Sequence, residues 1–260
     1  MDVSLSGLRV FSVFLACLFL VACGDRYDLS TARGQQASID DANSFLSQGL
    51  CAQADAAINP LYGSVYVTDQ VRLIKASAQA CFAGFQLLTF AGNLVGASNY
   101  FKALALSLHN SSGDGARQWM YNAVDVLTQS GNAMGGGQRS TADNSYMVFL
   151  QLGVISSILR NYGAPDGTGA KTVALTYLGS LTNVDACALT AAFSFITDSY
   201  SNSDLSDTTS QSTVSSLNSI CTAAGLSSCS ALNRDRTQCD GANANTIKAE
   251  ALVTGVNASW

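Results

Sequence analysis

Charged side chains are scarce in this chain, and their scarcity excludes several classes of protein. Only 12% of the 260 residues are charged, with 13 Lys and Arg against 18 Asp and Glu, so the formal net charge is −5. A chain without an excess of cations is not expected to bind nucleic acid through its phosphates. Hydrophobic residues make up 48% of the chain, which allows a packed core and excludes a disordered polyelectrolyte.

Histidine and glutamate are almost absent, and each absence argues against a type of active site. A serine hydrolase needs a base beside its nucleophile, and the one imidazole is His109. We expect His109 to lie at a helix end, where a charged imidazole interacts favourably with the helix dipole. Helical enzymes of the lysozyme type need a glutamic acid as general acid, and the one glutamate is Glu250. We therefore predict no catalytic residues and no enzymatic activity.

The polar motifs do not match a cofactor or metal site. The pairs Asp40–Asp41 and Asp204–Asp207 lack the ligand spacing of an EF-hand loop, and we expect them to cap helices. The glycines within 113–115 and 135–137 are not followed by the Lys-Ser or Lys-Thr of a phosphate-binding loop. The sequence therefore predicts no metal, nucleotide or other cofactor.

The amino terminus has the pattern of an export signal. Residues 8–22 are almost wholly apolar, with Arg9 near their start as the one basic side chain. About 15 helical residues cover about 22 Å, less than the hydrocarbon core of a membrane, so the length is typical of a signal peptide. The segment ends in Leu20-Val21-Ala22-Cys23, which resembles the lipobox of bacterial lipoproteins. The resemblance implies that residues 1–22 are a signal peptide and that Cys23 is lipidated, with palmitate among its acyl chains.

The same resemblance implies where the protein is found. Acyl chains on Cys23 would tether a folded body to a membrane, so we expect a lipid-anchored protein of the bacterial cell envelope. Gly24 stands where an aspartate would favour the inner membrane, so the outer membrane is expected. Residues 23–37 are then the lipidated cysteine and a flexible tether. An ordinary secretory signal and a buried amino-terminal helix are the alternatives.

Six cysteines follow the proposed lipidation site: Cys51, Cys81, Cys187, Cys221, Cys229 and Cys239. Six cysteines in an oxidising envelope allow fifteen sets of three disulfides. If neighbouring helices form antiparallel hairpins, Cys51 pairs with Cys81 across a turn at 63–68, and Cys187 with Cys221 across a turn at 199–207. Cys229 and Cys239 would then close a short loop. Free thiols are the alternative, because the spacings do not match a zinc site.

Apolar residues recur at steps of three and four along most of the remaining chain, which predicts helices. The clearest example is the series Val71, Ile74, Ala78, Cys81, Phe85 and Leu88. The predicted helices lie near 38–60, 69–90, 98–109, 115–131, 142–161, 169–180, 184–199 and 208–224, with a short one near 243–254. Residues 76–101 carry no charge, but their amides and glycines favour a buried helix over a membrane span.

The sequence therefore predicts an all-α, disulfide-stabilised fold of antiparallel helical hairpins. The hairpins form either an irregular bundle or a short α-solenoid. A solenoid would be similar to tetratricopeptide-like repeat proteins in architecture only, because no 34-residue signature is present. Residues 38–260 are expected to form a single helical domain, and a subdivision near 132–141, around Gly135-Gly136-Gly137, is the alternative.

A helical body without a catalytic set favours a function in binding. We expect a lipid-anchored envelope protein that acts as a scaffold or accessory subunit, with the membrane and an envelope protein as partners. The alternative is a periplasmic carrier of a hydrophobic small molecule that serves a transporter. The aromatic residues that would line such a cleft, or else pack in the core, are Trp119, Tyr121, Tyr146, Phe149 and Tyr162.

Overall fold

The structure, a computed structural model, describes residues 28–94, 97, 99–108, 114–128, 136–177, 179–232, 234, 236 and 244–260. The described residues form ten α-helices and no strand, so the predicted all-α fold is confirmed. The helices are α1 (Ala32–Ser47), α2 (Cys51–Tyr62), α3 (Asp69–Phe82), α4 (Leu87–Leu94), α5 (Tyr100–Ser107), α6 (Asp114–Leu127), α7 (Thr141–Gly163), α8 (Asn183–Ser201), α9 (Thr208–Ala223) and α10 (Ala244–Ser259).

Short polar side chains explain where many of these helices begin. Within the described ranges, six helices follow a residue whose side chain accepts a hydrogen bond from the backbone N–H three residues later. Such a cap satisfies one of the amides that the first helical turn leaves without a partner. The capping residues are Thr31, Thr68, Asn99, Ser140, Thr182 and Asp207.

Helices α1, α2 and α3 form an antiparallel unit with its own small core, which we call the N-terminal unit (residues 28–82). Its buried apolar side chains are Ile39, Ala42, Ile58, Leu61, Val71 and Ile74. Helix α3 is shared, because Val71 and Ile74 face this core whereas Ala76 and Ala80 belong to the larger core of the remaining helices. The N-terminal unit is therefore joined to the rest of the protein along one helix.

Residues 83–260, which we call the main body, surround the long helix α7. Nearly every residue of α7 between Tyr146 and Leu159 is buried, and α7 packs against α3, α5, α6 and α8. The carboxyl-terminal helix α10 returns to this centre, where Trp260 Nε1 donates to the Gly169 carbonyl at 2.7 Å. Asn99 Nδ2, just before α5, reaches the Ser259 carbonyl at 3.3 Å.

These distant contacts distinguish the two predicted architectures. In a solenoid each repeat contacts only its neighbours, whereas here a residue near position 99 contacts one near position 259. The antiparallel pair α2–α3 fits a predicted hairpin, the pairs α1–α2 and α7–α8 were not predicted, and the arrangement as a whole is an irregular bundle. The described residues contain no helix that is long and apolar enough to cross a membrane.

Most predicted helices lie within a few residues of the observed ones, but glycines divide two of them. The predicted helix 38–60 is split because Gly49 adopts φ +71°, and the predicted helix 69–90 ends before Gly84, at φ +75°. Glycine is the residue that adopts this left-handed backbone without steric cost. The series from Val71 to Leu88 therefore runs across two helices.

Two other boundary predictions are wrong. Helix α1 begins at Ala32 and not near 38, so residues 32–37 are helical and the tether predicted over 23–37 is too long. The residues of the predicted helix 169–180 that the structure describes form an irregular loop. Asp166 accepts hydrogen bonds from the backbone N–H groups of Thr168 and Ala170, and such local bonds compete with a helix. The proposed signal peptide, Cys23 and His109 lie outside the described residues.

The disulfide predictions are confirmed in one case and corrected in another. Cys51 and Cys81 form a disulfide across the α2–α3 hairpin, as predicted. Cys221 pairs with Cys229 and not with Cys187, because a turn at Gly225 (φ +79°) brings the chain directly back after α9.

The change of partner leaves Cys187 as a buried free thiol. It packs against Ala249 of α10, with Tyr177 beside it. The predicted pair Cys229–Cys239 is therefore also wrong, because Cys229 pairs with Cys221. Cys239 lies outside the described residues.

Candidate functional site

The antiparallel helices α7 and α8 carry a polar cluster at each end of their contact, one buried and the other half-buried. Asp185 lies in the first turn of α8, next to the carboxyl-terminal end of α7. Asp198 lies thirteen residues further along α8, near the start of α7. Thirteen helical residues span about 20 Å, so the two carboxylates form separate sites.

Asp185 accepts hydrogen bonds on both carboxylate oxygens. Tyr121 Oη donates to Oδ1 at 2.5 Å, and Arg117 Nε donates to the same oxygen at 3.2 Å. Thr182 Oγ1 donates to Oδ2 at 2.7 Å, and Tyr162 Oη donates to Oδ2 as well. Helices α6, α7 and α8 thus meet at one carboxylate, which we call the Asp185 cluster.

The helical spacing of the sequence explains how α6 reaches this carboxylate. Arg117 and Tyr121 are four residues apart, so they lie on one face of α6, and Asp125 continues the same face. Thr182 caps α8 and accepts from the Asp185 N–H at 3.2 Å, which places Asp185 in the capping position of the first turn. The Arg117 guanidinium also lies over the Tyr162 ring, 4.9 Å from its centroid.

The protonation states of the cluster follow from this geometry. Burial alone would raise the pKa of Asp185, but the hydrogen bonds from Tyr121, Tyr162 and Thr182 and the Arg117 charge outweigh it and lower this pKa below its ordinary value. Burial, together with the neighbouring carboxylate, raises the pKa of the Tyr121 hydroxyl. The pKa of Tyr162 is raised by burial and by its hydrogen bond to Asp185.

These states limit what the cluster does chemically. At neutral pH Asp185 is an anion whose oxygens are already occupied by donors, so it is poorly placed to take a proton from a substrate. Both tyrosines keep their protons, which they donate to Asp185, so neither is a phenolate nucleophile. The cluster is suited to hold three helices in one arrangement.

Asp198 organises the second cluster with two arginines. Arg234 Nη2 lies 3.0 Å from Oδ1 of Asp198, and Arg139 Nη2 lies 3.5 Å from Oδ2. The Gly136 N–H donates to Oδ2 at 2.5 Å. Arg139 also donates to Asn144 Oδ1 at 3.0 Å, so the entry to α7 is tied to the end of α8.

The segment that carries Arg234 and Arg236 spans both clusters. Arg236 forms two hydrogen bonds to Asp125, at 2.7 and 2.5 Å, and its guanidinium lies 5.0 Å from the Tyr121 ring centroid. Arg234 contacts Asp198 of α8. A short stretch after α9 therefore binds α6 and α8 through paired guanidinium–carboxylate contacts.

A third polar group lies in the N-terminal unit. Asp55 Oδ1 accepts from Lys75 Nζ and from Gln79 Nε2, each at 2.7 Å. Lys75 also donates to Asn59 at 3.0 Å and lies over the Tyr62 ring. This group bridges α2 and α3 beside the Cys51–Cys81 disulfide, and its carboxylate is one quarter exposed.

The aromatic and aspartate residues that the sequence analysis named lie in different parts of the structure. Tyr121 and Tyr146 are buried, and Tyr121 and Tyr162 both contact Asp185. Asp207 caps α9, as predicted, whereas Asp40 lies inside α1 and accepts from Gln36. Asp185 itself was not predicted. The spacing from Thr182 to Asp185 is a helix-start signal, but nothing in it indicates partners 64 and 68 residues away.

No group of three or more His, Cys, Asp or Glu side chains that could hold a metal ion occurs among the described residues. Comparison of the chain with protein families, curated proteins and solved structures gives no match.

Proposed function

We propose that the protein is a lipid-anchored component of the bacterial cell envelope that acts by binding, as a scaffold or accessory subunit of a larger assembly. The observation that carries the proposal is the segment Leu20-Val21-Ala22-Cys23, with the helical body that begins a few residues later. The acyl chains on Cys23 would supply the membrane affinity, because two or more chains anchor a protein stably.

The segment between the proposed anchor, Cys23, and the first helix is shorter than the tether predicted over 23–37. The described chain starts at Asp28, whose carbonyl accepts from the Thr31 N–H at 3.0 Å, and α1 follows immediately. Four residues lie between Cys23 and Asp28, and an extended chain covers at most about 18 Å over the five Cα-to-Cα steps. The body is thereby kept at the membrane surface, which suits a subunit of a membrane-bound assembly.

The chemistry of the body supports binding over catalysis. The carboxylates of Asp185, Asp198 and Asp125 are engaged by arginine, tyrosine or backbone donors that connect helices. Groups held in this way fix a shape. A stiff helical body on a short tether can present the same surface to a partner each time they meet, which lowers the entropic cost of binding.

The packing at the middle of α7 argues against a ligand cavity at that point, and so against the alternative of a hydrophobic carrier. A Cβ atom added at Gly153 would lie 2.6 Å from Met120 Cε and 3.1 Å from Phe85 Cδ2. Side chains therefore fill this part of the core to the density typical of protein interiors.

Replacement of the proposed acylation site tests the anchor. Cys23→Ser should move the protein from the membrane fraction to the soluble envelope fraction, and the mass of the mature chain should lose the acyl groups. Cys17→Ser is the matched control, because Cys17 would leave with the signal peptide and its loss should not alter membrane retention. Retention of Cys23→Ser in membranes washed with high salt would contradict the proposal.

A native mass spectrum of the protein gently extracted from its own envelope tests the binding role. A stoichiometric protein companion would support the scaffold, and a retained small molecule would favour the carrier. The same spectrum would show the acyl mass and the number of disulfides.

A further inference from the structure

The turn between α2 and α3 exposes three consecutive apolar side chains, which we call the apolar tip (Val65, Tyr66 and Val67). Val65 is 90% exposed, Tyr66 40% and Val67 36%. Exposure of three adjacent apolar residues is costly in water and commonly marks a contact surface.

The tip is held in place by its own turn. Ser64 Oγ donates to the Leu61 carbonyl at 2.7 Å and accepts from the Tyr66 N–H at 3.1 Å. Thr68 caps α3 directly after the tip, and the Cys51–Cys81 disulfide joins the two helices that carry it. The apolar side chains are therefore presented by a fixed support.

The register of α1 and α2 places the tip beside the start of the described chain. Ser38 Oγ donates to the Ala57 carbonyl at 2.5 Å, and the Leu50 N–H donates to the Phe45 carbonyl at 2.9 Å. These two contacts define one antiparallel register, in which Ala32 lies level with Gly63. Packed helices lie about 8–10 Å apart. Asp28, and with it the short arm to Cys23, therefore emerges at the same end of the hairpin as the tip.

Charge around the tip is balanced, so the surface is suited to apolar and not to electrostatic contact. The chain carries no charged residue between Asp55 and Asp69. Beyond the tip, Asp69 is paired with Arg72. At the start of the described chain, which lies beside the tip, the negative charge of Asp28 is followed five residues later by the positive charge of Arg33.

We propose that the apolar tip inserts into the interfacial region of the membrane to which Cys23 is anchored. The inference rests on the proposed lipid anchor. Valine partitions into the acyl boundary, and tyrosine is favoured at the membrane interface because its ring is apolar and its hydroxyl is polar. Because the proposed anchor at Cys23 lies within about 18 Å of Asp28, contact between the tip and the same membrane is intramolecular. A small apolar area is then sufficient for insertion. The two contacts together fix the orientation of the body, and with it the surface turned away from the membrane.

Tryptophan fluorescence of the acylated full-length protein tests the insertion. The variant Tyr66→Trp is reconstituted into phosphatidylcholine vesicles with and without lipids brominated on the upper acyl chain. The signal of wild type, which contains Trp119 and Trp260, is subtracted. We expect brominated lipid to quench the emission of the introduced indole, as for a side chain buried in the interface.

Leu50→Trp is the matched control. Leu50 is 37% exposed, close to the value for Tyr66, but it lies at the opposite end of α2. Twelve helical residues separate the two ends by about 18 Å. We expect the emission of this variant's added indole to be unchanged by brominated lipid and to be quenched by acrylamide from the water.

Three outcomes would overturn the proposal, and vesicle flotation separates them. If the protein floats with the vesicles but the indole at position 66 is quenched by acrylamide and not by brominated lipid, the tip does not insert. If that indole is shielded from both quenchers and the protein sizes as a dimer in detergent, a second copy covers the tip. If the acylated protein fails to float, the proposed anchor fails first, and the insertion that depends on it fails as well.

Discussion

The N-terminal unit and the main body are both helical, but they are stabilised in different ways. The N-terminal unit buries six apolar side chains in a separate cluster and joins α2 to α3 with the Cys51–Cys81 disulfide. The main body buries a much larger apolar cluster around α7, and it also encloses the charged pair Arg117–Asp185. Both regions contain a disulfide, since Cys221–Cys229 lies in the main body, but the disulfide of the smaller core closes the longer loop and the ion pair of the larger core is the more deeply buried.

The difference follows from the size of each core. A small unit buries too little apolar surface to offset the entropy of ordering its chain, and a disulfide reduces that entropy cost by restricting the unfolded state. A large core tolerates a buried carboxylate if every oxygen is satisfied. The polar group of the N-terminal unit, around Asp55, stays one quarter exposed, so water contributes to solvating it.

The largest effect is expected from Asp185→Ala in the main body. This carboxylate accepts from Arg117, Tyr121, Tyr162 and Thr182, and breaking a buried ion pair from one side costs about 3–5 kcal/mol. Urea unfolding at pH 7 measures the loss.

Asp55→Ala is the matched change in the N-terminal unit. It should cost less, about 1–3 kcal/mol, because Lys75 keeps Asn59 as a partner and the carboxylate that is removed is one quarter exposed. Equal losses for the two variants would contradict the distinction between a buried carboxylate and one that is one quarter exposed.

Loss of the Cys51–Cys81 disulfide should be the next largest effect. Closure of a loop with a sequence separation of 30 contributes about 3.6 kcal/mol in the chain-entropy estimate, against about 2.5 kcal/mol for the separation of 8 between Cys221 and Cys229. We therefore expect the double serine variant at 51 and 81 to lose about 1 kcal/mol more than the one at 221 and 229.

Calorimetry of the two double variants, with a free-thiol assay to confirm the cysteines removed, makes the comparison. A larger loss for Cys221 and Cys229 would show that the N-terminal unit does not depend on its disulfide more than the main body does.

Gly153→Ala should leave the protein about 1–3 kcal/mol less stable than Gly92→Ala, because both changes gain helix propensity and only the first adds a methyl group to a filled space. The added methyl group meets Met120 and Phe85, and overpacking a filled core forces side chains off their preferred rotamers. Gly92→Ala in α4 is the control, because open space surrounds Gly92 and alanine favours a helix. Thermal unfolding of both variants is the measurement. If Gly153→Ala unfolds at the same temperature as Gly92→Ala, there is spare volume beside α7. That result would favour the alternative function as a hydrophobic carrier.

Acidification should act on the main body through Asp185. Its folded-state pKa lies below the ordinary value of 3.8, so the stability it contributes is complete above pH 3.8 and is lost as the pH falls through the lowered pKa. We expect the difference in unfolding free energy between wild type and Asp185→Asn to be constant from pH 7 to about pH 5 and to narrow below pH 3.8. A difference that widens on acidification would contradict the direction of the shift.

Much of the secondary structure was predictable because its signals are local. The apolar periods of α6, α7, α8 and α9 and the capping residue Asp207 stand within a few residues of the elements they define. The hairpin that pairs Cys51 with Cys81 was predictable for the same reason, since both helices are regular and the turn lies midway between them. Gly49 and Gly84 were visible as glycines, but only their left-handed backbone shows that a helix ends there.

The candidate site was not predictable from the same signals. The donors of Asp185 come from positions 117, 121, 162 and 182, and no periodicity links a helix face to a carboxylate more than sixty residues away. The partner of Cys221 was missed because a single turn at Gly225 brings Cys229 closer than Cys187, which faces α10 instead. The donors of Asp185 and the partner of Cys221 both depend on which helices pack against each other.

The sequence by itself determined that this protein is helical, where most of its helices lie, and that one hairpin is closed by a disulfide, because periodicity, caps and turn residues act over short distances along the chain. Only the tertiary structure decided that the helices form a bundle around α7, that Asp185 joins three of them, and that the apolar tip lies at the end where the chain leaves toward Cys23. These features require pairs of residues that are distant in sequence to meet, and their positions are set by the packing of whole helices.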